Sequence, residues 1–282
     1  MSIRLAASIT VLSLVVAGCS SGVASVPIGA SPIVAPAATG APATATPVSL
    51  TVFGASSLKA ALARVKATYE AADPIITLTI STDSSTALET KIEQGAAANV
   101  FLSADTSNPQ KLVDKGLAAG SVTKFAGNLL TVIVPKSNPA GIQTPADLAR
   151  SGIKVIAAGD TVPITQYTNQ LVANLAKQPG YPADFAARYA ANVVSRQDNV
   201  AAVVSQIALG EGDAGIVYVT DAKTATQATT IPVPAAANVP ATYAGVVIRA
   251  SANLSAAQEF LTWLAGPDGQ AVLAAFGFLP AP

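Results

Sequence analysis

From Val48 onward, short β-branched runs alternate with stretches whose apolar residues recur every three or four positions, and this alternation constrains the fold more than any other feature of the chain. Residues 48–53 read as a strand, and Leu58, Ala61, Leu62, Val65 and Tyr69 as one face of a helix. A second strand follows at 76–81, a helix near 87–95 and a third strand at 100–103. The pattern continues with strands at 129–134, 154–157, 193–195 and 214–219 and with helices at 166–177 and 200–209. A strand that leaves through a helix and returns as a strand builds a parallel sheet with helices on its faces. The expected fold class is therefore α/β, mainly parallel, and the span from Val48 to Pro282 is long enough for two lobes of ordinary domain size.

The residues before this region read differently. The chain starts Met1-Ser2-Ile3-Arg4, runs apolar from Leu5 to Val16 and reaches Ala17-Gly18-Cys19. A basic start, a short apolar run and small residues before a cleavage point predict a secretory signal over 1–18. Its apolar run of about a dozen residues falls well short of the roughly 20 that a permanent membrane helix needs. The pattern also resembles the bacterial lipoprotein box, which would make Cys19 the lipidated N-terminus of the mature protein. Cys19 is the one cysteine, so no intramolecular disulfide is available and the fold must stand on its core. Residues 19–47 carry no charge and no aromatic residue, with prolines at 27, 32, 36, 42 and 47, and are expected to be a semi-rigid tether between membrane and folded part.

Composition removes whole classes of function. The chain has no histidine, which excludes Ser-His-Asp and Cys-His catalysis, histidine-ligated zinc and any imidazole base. Sixteen basic and sixteen acidic residues cancel, so no basic surface is available to track nucleic acid. No Walker loop occurs, so an ATPase would have to be a separate chain. No catalytic residue and no cofactor are expected. Asp105, Asp160 and Asp221 stand apart in sequence and read as caps or surface groups rather than metal ligands, and Trp263, beside Phe260, Leu261 and Leu264, reads as core.

In α/β sheets ligands sit at the carboxyl ends of strands, where loops and helix N-termini converge. Four such loops carry chemistry. Phe53-Gly54-Ala55-Ser56-Ser57-Leu58 follows the first strand and Ser81-Thr82-Asp83-Ser84-Ser85-Thr86 the second. The third, from Gly159 to Tyr167, leads into a helix, and the fourth, from Asp213, ends a strand on Tyr218. Ordinary N-capping explains one serine in each of the first two loops, and a core tyrosine explains Tyr218; hydroxyl clusters after neighbouring strands point beyond that to a ligand.

These residues resemble the periplasmic molybdate/tungstate-binding proteins of ABC importers over about 50–279. The marks are Phe53-Gly54-Ala55-Ser56-Ser57-Leu58, Ser84-Ser85-Thr86-Ala87-Leu88, the run from Gln94 to Asp105, Gly127-Asn128-Leu129-Leu130, Val162-Pro163, Gly215-Ile216-Val217-Tyr218 with Asp221-Ala222, and Gly277-Phe278. Each is weak alone; their order and spacing together are specific. The resemblance implies a two-lobed, type II periplasmic-binding-protein fold with the ligand in the interlobe cleft. It implies an extracytoplasmic protein, a monomer, that hands its anion to a permease with its own ATPase. It places hydroxyl donors at Ser57, Ser85 and Tyr218 and main-chain donors at Ser57, Ser85, Ile164 and Val200, so that molybdate or tungstate is held through its oxygens with no protein ligand on the metal. Lobe I is expected over 48–126 and 243–282 and lobe II over 127–242, closing on the ligand about two crossovers.

The physical chemistry agrees. A fully ionised oxyanion offers only acceptors, so a site made of donors holds it and rejects an anion that carries a proton. The third loop departs from the family's small, glycine-containing sequence: Ile164 narrows the site or shifts its donor, and Thr165 is a candidate extra hydroxyl. Ser56-Ser57-Leu58-Lys59 also fits the Ser-x-x-Lys pattern of penicillin-recognising enzymes, but their other motifs are missing. A ferric-iron site would want adjacent tyrosines, and no Tyr-Tyr pair occurs; an amino-acid site would want an arginine fork and a sugar site aromatic platforms, and with no arginine in the four loops and aromatics at 5% both lose ground. Sulfate, of the same charge and shape, remains the competing ligand.

Overall fold

The computed structural model describes residues 46–282; the signal segment 1–18, Cys19 and nearly all of the tether lie outside them. The chain enters on β1 (Val48–Ala55), turns through a 3-10 segment (Ser56–Leu58) into α1 (Lys59–Ala72), and continues as β2 (Ile76–Asp83), α2 (Ser85–Glu93), β3 (Val100–Ser103), α3 (Ser107–Asp114) and β4 (Thr123–Asn128). After Leu129 come β5 (Leu130–Pro135), β6 (Val155–Ala158), α4 (Pro163–Leu175), α5 (Phe185–Ala191), β7 (Val193–Gln197), α6 (Val200–Leu209), β8 (Gly215–Tyr218), α7 (Val219–Thr224) and β9 (Ala228–Ile231). The chain then returns on β10 (Ala241–Val247) and ends in α8 (Leu254–Ala265) and α9 (Pro267–Ala275).

The first sheet has the order β2-β1-β3-β10-β4. Its βαβ units make β1, β2 and β3 parallel, as the alternation predicts, whereas the returning β10 runs antiparallel to both β3 and β4. In the second half the expected parallel arrangement holds for the β6–β7 pair and for a single parallel bridge from Val155 of β6 to Ala214, just before β8. Strand β5 lies between β8 and β9 and is antiparallel to each. Leu129 alone separates β4 from β5, so the chain steps directly from the first sheet into the second, and the partners of β5, β8 and β9, arrive only much later in the chain.

Side-chain alternation lets one short strand feed two layers. On β3, Val100 and Leu102 join the main core with Leu58, Leu62, Phe260 and Leu264, while Phe101 joins a second cluster with Leu88, Ile92 and Leu112 under α2 and α3. Helices α8 and α9 pack back on the first sheet, with Tyr69 of α1 wedged 5.1 Å from Phe260 and 5.0 Å from Trp263, so Trp263 lies at the core margin.

One acid in this packing sets a pH dependence. Glu89 on α2 is buried, and its Oε1 has no hydrogen-bond partner. Burial, reinforced by the neighbouring Glu93, pushes its pKa from 4.5 to about 7. Between those values the folded chain holds a proton that the unfolded chain has lost, so the group removes stability as pH rises from about 4.5 through 7. Glu89→Gln is therefore expected to raise the urea midpoint at pH 8 and to flatten its fall between pH 5 and 8; an unchanged slope would assign that fall elsewhere.

Candidate functional site

The carboxyl ends of β1, β2, β3 and β8 and the N-termini of α2, α4 and α6 converge on one small cavity of about 10 Å³. Its walls are Ala55, Ser56, Ser57, Ser84, Ser85, Ala104, Val162, Pro163, Ile164, Val200 and Tyr218. The five residues expected to bind the ligand, Ser57, Ser85, Ile164, Val200 and Tyr218, all lie on it, brought together from positions up to 161 apart in the chain (218 − 57). No wall residue is charged. A space of this size, about that of one water molecule, leaves no room for an amino acid or a sugar.

Three hydroxyls on the cavity wall, those of Ser85, Ser57 and Tyr218, are able to donate. Ser85 Oγ accepts the main-chain N–H of Ala104 at 3.0 Å, which leaves the serine's own hydrogen to give. Ser57 Oγ lies 2.8 Å from the hydroxyl of Tyr243. Tyr218 is 1% exposed, and its hydroxyl has no hydrogen-bond partner. Burial, aided by Tyr243, Tyr167, Asp221 and Asp105, holds its pKa well above the ordinary tyrosine value, so it is a neutral O–H donor. A buried polar group without a partner is rare and calls for one.

Main-chain donors come from helix starts, whose first N–H groups have no intrahelical acceptor. Ser85 and Val200 are the first residues of α2 and α6, and Ile164 is the second of α4, after a proline that suits the first position and donates nothing. At α6 the side chain of Asn199 takes the N–H of Ala202 and leaves that of Val200. Ile164 and Val200 are buried in the main core cluster, and both line the cavity.

Two hydrogen bonds join the loops next to the cavity. Thr86 Oγ1, at the start of α2, donates to the carbonyl of Thr161 at 2.7 Å, and Asn199 Nδ2 donates to Asp83 Oδ1 at 3.3 Å. Asp83 is partly buried, but hydrogen bonds from Lys91, the Ser84 N–H and Asn199 outweigh that and hold its pKa below the ordinary value.

The extra hydroxyl expected at Thr165 is not available: it is spent inside its own loop, donating to the carbonyl of Gly159 at 2.7 Å, and it does not border the cavity. The three acids are a cap, a surface group and a main-chain acceptor at the start of α7. Asp105 is buried and accepts from Ser103, Ser107 and Asn108 at the start of α3. Asp160 pairs with Arg196 at the surface. Asp221 accepts the N–H of Tyr218, and burial raises its pKa to about 7. Among the described residues no group of three His, Cys, Asp or Glu side chains could hold a metal ion. Asp221 also borders a larger cavity, about 400 Å³, behind Ser56 and Ser57, where its carboxyl makes a poor seat for an anion.

Two residues behind Ser57 were given no site role in the sequence, Tyr243 and Asn128, although Asn128 stands in the Gly127-Asn128-Leu129-Leu130 mark. Both are fully buried, and Tyr243 has no sequence signal beyond a polar group inside an apolar strand.

Residues 50–279 match the family model described as bacterial extracellular solute-binding protein. The chain is 32% identical over 231 residues to the molybdate-binding protein ModA of Mycobacterium tuberculosis, covering 82% of this chain and 84% of that protein. Among solved structures, the periplasmic molybdate-binding protein of Azotobacter vinelandii superposes with a TM-score of 0.68 at 26% identity, covering 82% of this chain and 98% of that one. The sulfate-binding protein SubI of Mycobacterium tuberculosis superposes with a TM-score of 0.72 at 21% identity, over 82% of this chain and 86% of that one, a likeness of fold.

Proposed function

Since this chain belongs to the bacterial extracellular solute-binding proteins, we propose that it captures molybdate or tungstate outside the cytoplasmic membrane and delivers it to an ABC permease for import. The observation that carries this reading is the Tyr218 hydroxyl, buried without a partner in a cavity walled by uncharged donors. An anion there would receive O–H groups from Ser57, Ser85 and Tyr218 and N–H groups from Ser57, Ser85, Ile164 and Val200. Its metal would touch no protein atom. The dipoles of three helices supply the positive potential that the absent lysines and arginines do not. No chemistry is done on the ligand.

In this reading lobe I comprises 48–126 and 243–282 and lobe II 127–242. Donors from both meet around the ligand only when the lobes close, and the Thr86–Thr161 and Asp83–Asn199 bonds would help hold them shut. The protein would act as a monomer, tethered through a lipid on Cys19 by residues 19–47.

Thermal unfolding of the chain from Ser20 onward, after exhaustive dialysis, tests the proposal with molybdate, tungstate, sulfate, phosphate and nitrate added separately. Selective binding stabilises the folded state by about 2.7 kcal/mol at a hundredfold excess over the dissociation constant. Molybdate and tungstate are expected to raise the midpoint, and phosphate and nitrate to leave it unmoved. A shift with sulfate alone would replace the ligand, and a flat response to every anion would remove the function.

A further inference from the structure

We propose that Asn128 and Tyr243 form a one-way hydrogen-bond relay that holds Ser57 as a donor to the ligand and so makes the site discriminate against anions that carry a proton. This rests on the oxyanion reading above and adds two positioning residues to it. The direction of the relay follows from which atoms have hydrogens. The Asn128 amide is oriented by its oxygen, which accepts the N–H of Leu129 at 3.0 Å. Its nitrogen therefore faces Tyr243 Oη at 3.3 Å and Thr220 Oγ1 at 2.9 Å, and an amide nitrogen donates and does not accept.

With Asn128 donating to it, the Tyr243 hydroxyl must place its own proton elsewhere. Ser57 Oγ, 2.8 Å away, is the acceptor in reach. The opposite direction, Ser57 donating to Tyr243, would leave the Tyr243 O–H without an acceptor at full burial, at a cost the first arrangement avoids. With its oxygen occupied from behind, Ser57 has its hydrogen free on the side that borders the cavity. Ser85 is set in the same way by the N–H of Ala104. Both serines are thus fixed as donors before any ligand arrives, and an anion with its own O–H meets another hydrogen.

The placement of Tyr243 adds a second function. It stands on β10, where the chain returns to the first sheet, and Asn128 stands at the end of β4, where the chain leaves it. The Tyr243 ring lies 5.6 Å from that of Tyr218, edge to face, and 5.3 Å from Phe278. One residue at the crossovers therefore orients Ser57 through its hydroxyl and Tyr218 through its ring.

Calorimetric titration of Tyr243→Phe with molybdate and with inorganic phosphate separates these roles, because Phe keeps the ring and removes the relay. Molybdate affinity is expected to fall roughly three- to tenfold, the worth of one such hydrogen bond. Phosphate, which keeps a proton at neutral pH, should lose less or gain, so the molybdate-to-phosphate preference narrows. If Tyr243 acts through Ser57, adding Tyr243→Phe to Ser57→Ala changes molybdate affinity by less than about twofold, the non-additivity of groups in one network. Equal losses in the two backgrounds, or an unchanged preference, would overturn the relay. Should Tyr243→Phe fail to fold, Asn128→Leu probes the other end and is expected to narrow the preference likewise; an unchanged preference there overturns the relay too. A wild-type protein that binds no molybdate would overturn the oxyanion reading and the relay with it, whereas a binding wild type with additive variants overturns the relay alone.

Discussion

Tyr218→Phe is expected to make the ligand-free protein more stable and at the same time a much poorer oxyanion binder. The hydroxyl of Tyr218 has no partner in the folded chain and is buried, and a donor left in that state costs about 1–3 kcal/mol. Removing it while keeping the ring, which packs edge to face against Tyr243 and Tyr167, should recover about 1 kcal/mol or more and raise the denaturant midpoint. Binding moves the other way. A hydrogen bond to an ionised acceptor contributes about 1.5–3 kcal/mol, so affinity for molybdate should fall roughly 10- to 150-fold. The two signs separate the functional residue from an ordinary core tyrosine, for which Phe would leave binding alone. Calorimetric titration together with urea unfolding of the same sample reads both; unaltered affinity would remove Tyr218 from the site.

Ser85→Ala should lose on both counts. Ser85 Oγ accepts the buried N–H of Ala104, and alanine leaves that N–H unpaired, with an expected loss of about 1–3 kcal/mol of stability. The hydrogen that Ser85 offers to the cavity goes as well, so molybdate affinity should fall by about 1.5–3 kcal/mol. Ser85→Ala and Tyr218→Phe thus weaken binding alike while shifting the unfolding midpoint in opposite directions. If Ser85→Ala lowered the midpoint and left affinity unchanged, Ser85 would be a structural tie between β3 and α2 and nothing more.

The parts of the fold that were legible share one property: their signal is short-range. Helix α6 runs from Val200 to Leu209, as its apolar periodicity predicts, because Asn199 is a good cap and Gly210, at a φ of 78°, ends it in the left-handed conformation that glycine adopts without strain. Helix α4 starts three residues before its expected onset at 166, at Pro163, since a proline preceded by an extended residue is a helix start as readily as a break. Strand direction is not short-range. Nothing within 130–135 says that β5 runs antiparallel to its neighbours; that depends on which strands later arrive beside it, and from which end.

The site divides along the same line. That Ser57 and Ser85 follow strands and open helices, that no lysine or arginine lies in their loops, and that histidine chemistry is absent all stand in the amino-acid order alone, because capping, charge and composition are properties of residues and their near neighbours. The bringing together of Ser57, Ser85, Ile164, Val200 and Tyr218 on one cavity belongs to the tertiary structure, as does the loss of Thr165 to the carbonyl of Gly159. So does the pairing of Ser57 with Tyr243 across 186 residues. A side-chain hydroxyl reads the same in sequence whether it caps a turn, fills a core or faces a ligand; which proton is left to give is decided by the acceptors and donors that folding packs around it.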